Sequence, residues 1–112
     1  MARTALAVQT PTPSGLTPVY SAANVDGHSI VNDGATMLIV KNGGGAPINV
    51  TQIAPGKFAG LELEDPIVAV PAAGERHLGP WNPAAFNQPA GVVHVDFSGV
   101  GTVTVAAIRV KF

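Results

Sequence analysis

The run Thr36-Met37-Leu38-Ile39-Val40-Lys41 is entered from Asn32-Asp33-Gly34 and left through Asn42-Gly43-Gly44-Gly45, and its reading decides the fold class. The run is apolar on both faces. It predicts a strand buried on both sides, either in the middle of a sheet or at a subunit contact. Its flanks are turn chemistry: Asn-Gly and Asp-Gly tolerate the positive φ that tight hairpins demand, and Pro-Gly suits type II turns. The same punctuation recurs outward, at Asp26-Gly27, Pro55-Gly56, Asp65-Pro66, Ala73-Gly74 and Gly99-Val100-Gly101. Turn signals spaced by roughly 8–12 residues, with short apolar runs between them, predict an all-β sandwich or barrel.

The remaining runs fit that frame. Ile48 and Val50 alternate with Asn49 and Thr51, a strand with one buried face. Ile67-Val68-Ala69-Val70 is a short strand held between Pro66 and Pro71. Val93, Val95 and Phe97 point one way and His94, Asp96 and Ser98 the other. The last strand, residues 102–112, changes phase: Val103, Val105 and Ala107 are odd, whereas Ile108, Val110 and Phe112 are even. A one-residue slip inverts every later side chain, so the pattern predicts a β-bulge near Ala106-Ala107. Helical periodicity is absent except for one turn at residues 82–87, where Asn82 suits an N-cap, Pro83 the first helical position, and Pro89 limits the length.

Composition narrows the class of function. The 112 residues suit one domain, and 46% hydrophobic residues are enough for a core. Six basic against seven acidic residues leave a net charge of -1, with no electrostatic pull toward nucleic acid or an anionic membrane. No apolar run nears the roughly 20 residues of a membrane-spanning helix. Without cysteine there is no disulfide framework, thiolate zinc site or cysteine nucleophile. Gln9 and Thr10 cut the first apolar stretch off short of a signal-peptide core, so the expected site of synthesis is the cytoplasm.

Residues 1–19 differ from the rest, and the sandwich domain is assigned to 20–112. Thr10-Pro11-Thr12-Pro13-Ser14-Gly15 favours an open, extended arm, with Leu6, Val8, Leu16 and Val19 as apolar teeth. Such a segment is either a frayed terminus or an arm that lies across a neighbouring subunit. On the second reading, deletion of residues 1–15 is expected to abolish attachment and leave the sandwich folded.

No constellation carries catalysis. His28, His77 and His94 lie far apart, in no metal-type spacing. Glu62, Glu64 and Asp65 cluster without the further oxygen ligands of a calcium loop, and read as a solvated rim. Gly43-Gly44-Gly45 lacks the Lys and Ser/Thr of a phosphate loop, and no serine sits in a G-x-S-x-G elbow. The basic residues are scattered; Arg109 and Lys111 share a strand face with no aromatic residue on it to stack a base. Trp81 and Phe86 bracket the proline-rich turn, where they either plug one end of the sandwich or form a small patch for a sugar or a protein.

The order of the motifs carries a resemblance. Asn32-Asp33-Gly34-Ala35-Thr36 leads through Leu38-Ile39-Val40-Lys41-Asn42-Gly43 and Ile48-Asn49-Val50-Thr51 to Pro71-Ala72-Ala73-Gly74-Glu75-Arg76. Leu78-Gly79-Pro80, Phe86-Asn87 and Val103-Thr104-Val105-Ala106-Ala107 follow. Over about residues 20–110 the series resembles small head-associated (capsid decoration or cement) proteins of tailed bacteriophages and prophages. The resemblance implies an antiparallel β-sandwich of jelly-roll type, located on the virion and bound to the major capsid protein, with a homotrimer as the favoured assembly. It implies no enzyme activity and no cofactor. Expected partner contacts are Arg3, Leu6 and Val8 in the arm, then Trp81 and Phe86. The alternatives are a head–tail or tail structural protein and a non-catalytic module for a glycan or host surface.

Overall fold

The computed structural model describes residues 3–110. Met1, Ala2, Lys111 and Phe112, which the arm and last-strand readings include, lie outside the described residues. Three two-residue strands come first: β1 (Thr4–Ala5), β2 (Val8–Gln9) and β3 (Ser21–Ala22). The sandwich is built from β4 (His28–Val31), β5 (Thr36–Asn42), β6 (Ile48–Gln52), β9 (Ile67–Val70), β10 (Glu75–Leu78), β11 (Val92–Phe97) and β12 (Val103–Arg109). A hairpin of β7 (Lys57–Phe58) and β8 (Leu61–Glu62) interrupts the path from β6 to β9. The short helix α1 (Pro83–Phe86) lies between β10 and β11.

One sheet has the order β1-β4-β11-β6-β9, and the other the order β10-β5-β12-β2, with β3 also paired to β12. Consecutive sandwich strands cross from sheet to sheet, save β6 and β9, which pair with each other. This is the winding of a jelly roll, and the chain is an all-β sandwich. The seven sandwich strands are antiparallel to their neighbours, as expected. The arm's β1 and β2 join in parallel, which makes both sheets mixed.

The deciding run is β5, central in its sheet between β10 and β12. Leu38 and Val40 face the other sheet and are fully buried, and Ile39 on the opposite face is buried too. Across the core they meet Ile30, Val50, Val93 and Val95, none of them exposed. Each such side chain contributes about 1.5–3 kcal/mol on burial.

The expected bulge at Ala106-Ala107 does not occur. The β12–β5 ladder runs without a skipped residue from Val103 opposite Asn42 to Arg109 opposite Thr36. The phase change has another cause: Ala106 and Ile108 point away from the core and are still buried. The β2–β3 connection reaches this sheet at Tyr20, and in it half-buried Leu16, Pro18 and Tyr20 alternate with exposed Thr17 and Val19. The Tyr20 ring reaches Lys41 on β5, with Nζ 4.1 Å from its centroid. A strand covered on both faces has no need to alternate.

Turn chemistry is largely as read. Asn24, Asn32 and Asn42 each accept, through Oδ1, the N–H two residues on, and Asn82 does the same as N-cap of α1. Pro55-Gly56 departs from expectation. Gly56 is not at positive φ, and its missing side chain serves to admit α1: a Cβ there would lie 2.5 Å from the Ala84 carbonyl.

Among the described residues, the one buried side-chain polar atom without a partner is Thr36 Oγ1. An isosteric methyl there removes a desolvation penalty of about 1–3 kcal/mol. Thr36→Val is expected to raise stability by about 1 kcal/mol, read as a higher denaturant midpoint with unchanged slope.

Candidate functional site

The arm is the element whose purpose packing alone does not explain, and the structure ties it down residue by residue. Thr4 donates its N–H to the Gly27 carbonyl at 3.2 Å, and Leu6 donates to Ser29 at 2.9 Å, forming the parallel rungs of β1 on β4. His28 is buried beneath them. Its Nδ1 donates to the Thr4 carbonyl at 3.0 Å, and its Nε2 accepts the Asn24 N–H at 3.1 Å, which assigns the Nδ1–H tautomer. The Asn24 amide also bonds the Thr4 hydroxyl. The chain then crosses to the other sheet, where Val8 pairs with Ala107. Between the two strands, Leu6 inserts into the core, 8% exposed.

Charge holds the arm's start. Arg3 makes a two-pronged contact with Asp96 on β11, Nη1 to Oδ1 at 2.8 Å and Nη2 to Oδ2 at 3.1 Å. The pair passes over Gly27, which has φ +86° and no room for a side chain: a Cβ would stand 2.4 Å from Asp96 Oδ1. His94, two residues before Asp96 on the same outer face, is held below the ordinary histidine pKa by partial burial, then by the Arg3 guanidinium, against an upward pull from Asp96. With the folded value depressed, the unfolded chain takes up the proton first. The linked stability is therefore intact above about pH 6.5 and declines below it. Arg3→Gln is expected to move the His94 titration midpoint upward, as followed by its imidazole NMR shifts. An unchanged midpoint would place Arg3 elsewhere in solution.

The expected contact residues thus divide. Arg3, Leu6 and Val8 are engaged by their own sandwich in this chain. Trp81 is 2% exposed, with Nε1 donating to Oε1 of the buried Gln52 at 2.7 Å. Its ring plugs the core and offers no platform to a sugar or a partner. Phe86 is partly buried against the same core. Because Leu6 is a core residue, truncating the arm is expected to lower the stability of the sandwich as well as to remove any contact. Its burial carries no local signal in the sequence, since nothing near Leu6 names the strands that cover it.

A hollow of about 520 Å³ opens at one end of the sandwich, lined by Lys41, Asn42, Gly43, Ala73, Gly74, Glu75, Thr102 and Thr104. Ala73 and Thr102 both stand at positive φ on its rim, +55° and +56°. Its charged groups are already engaged: the Lys41 ammonium lies over the Tyr20 ring, and Glu75 bonds His77 at 2.6 Å. Among the described residues no three His, Cys, Asp or Glu side chains converge to hold a metal. No helix there is long and apolar enough to cross a membrane. The chain matches no protein-family model, no curated protein and no solved structure.

Proposed function

We propose that this protein is a structural component of a bacteriophage virion that decorates or cements the capsid exterior, binding the major capsid protein by surface contacts and performing no chemistry. The favoured assembly is a homotrimer. The observation that carries the proposal is the arm, an extended segment that adds a strand to each sheet and presents its proline-rich continuation to solvent. Strand addition to sheet edges is a general way for one chain to grip another, and shell cement acts by burying surface across seams between capsomers. The sandwich fold is compatible with the same reading, and the order of turn motifs, which resembles that of head-associated proteins, suggests it. Burial of Trp81 removes the aromatic platform on which a glycan-binding alternative depends.

The test is to mix the purified protein with undecorated shells and image the particles. Regularly spaced added density on the outer surface is the expected result. Bare shells in the presence of folded protein would overturn the cement reading in favour of a head–tail or tail position.

A further inference from the structure

We propose that the groove filled by residues 3–9 also receives the same segment from a second copy, so that neighbouring chains associate by exchanging arms. The proposal deepens the shell role and rests on that role for its setting. The occupant is identified by what the groove already holds. Asp96 takes the Arg3 guanidinium, the His28 Nδ1–H takes the Thr4 carbonyl, and the core takes Leu6. Every one of these contacts is as available to another copy's arm as to the chain's own.

The arm's attachment favours exchange. Its grip comprises two residue pairs on each sheet, the Arg3–Asp96 and Thr4–His28 contacts and one core side chain, all made by residues 3–9 and therefore transferable as a unit. The strand that follows ends at Gln9, whose side-chain amide bonds both the N–H and the carbonyl of Val19 at 2.9 Å. Between these residues the chain is largely exposed, contains Pro11, Pro13 and Pro18, and joins no sheet. Prolines restrict such a hinge even when it is open, so straightening it costs little additional entropy. Residues 10–20 extend at most roughly 36–40 Å, against molecular dimensions of 40, 36 and 24 Å. The arm can therefore leave its own sandwich and reach the same groove on an adjoining one. Exchange of an identical element is a low-cost route to association, and the high local concentration on a lattice favours it further.

The absence of cysteine makes the test clean. Ala5 and Ser29 are paired neighbours on β1 and β4, a separation that a disulfide spans. One chain carries Ala5→Cys, a second carries Ser29→Cys, and the two are incubated together at high concentration and oxidised. Arm exchange gives a disulfide-linked heterodimer on a non-reducing gel, several-fold above the product formed when Ser29→Cys is replaced by Leu61→Cys on the exposed β8. Equal yields from the two mixtures would overturn the proposal, whether or not the double variant in one chain closes as a cross-linked monomer. The shell-imaging experiment is read separately, so decoration without heterodimer rejects exchange alone, and heterodimer without decoration rejects the shell role alone.

Discussion

Replacing Trp81 with alanine is expected to lower the free energy of unfolding by about 3–5 kcal/mol, roughly a fifth or more of what a domain of this size commonly has. The indole is 2% exposed and packs in the main core. Its loss leaves both a cavity and a buried acceptor, Gln52 Oε1, without its donor. Trp81→Phe separates the two effects. It retains most of the ring and is expected to cost about 1–3 kcal/mol for the stranded amide. Urea unfolding followed by circular dichroism measures both. Near-wild-type stability of Trp81→Ala would mean that the ring is on the surface, and would restore it as a candidate contact.

The second large effect is expected at Gly27. An alanine there must adopt φ +86°, which costs about 1–2 kcal/mol, and its Cβ must fit between Asp96 Oδ1 at 2.4 Å and the Val95 carbonyl at 2.5 Å. The backbone of β11 cannot move aside without breaking its pairing with β4 and β6. The variant is expected to lose the Arg3–Asp96 contact and to destabilise the fold by clearly more than the φ penalty alone. Gly15→Ala is the matched control, because Gly15 has φ +97° but nothing within 4 Å of its added Cβ. The difference between the two midpoints isolates crowding against β11 at the arm's anchor, and equal midpoints would show that β11 does not pack against Gly27. In Gly27→Ala the His94 titration should also shift upward, as in Arg3→Gln.

Elements set by local chemistry were legible in the sequence. The cap at Asn82 and the turns at Asn32 and Asn42 involve a side chain and an N–H two residues away, so three adjacent letters suffice. The central position of Thr36–Asn42 followed from its apolar character on both faces. What was not legible depends on distant partners. Strands β1, β2 and β3 have two residues each, too few for any period to show. The polar letters of β10, Glu-Arg-His-Leu, reflect a sheet edge, where charge discourages unwanted pairing. The expected bulge fails because Ala106 and Ile108 are buried on the face turned away from the core, a second burial that no neighbouring letter announces. Trp81 could be read either as plug or as patch until the position of Gln52 was known.

The pairing of Val8 with Ala107 joins residues 99 positions apart in the sequence. During synthesis, β2 must wait until β12 has been made before it can pair. The nascent protein therefore passes through a stage in which its leading segment is free and the sandwich edges are bare. Contacts so far apart in sequence slow folding, and exposed edges in that interval favour encounters between chains emerging close together. On a crowded message, the timing of translation would thus influence whether each leading segment closes on its own body or on a neighbour's.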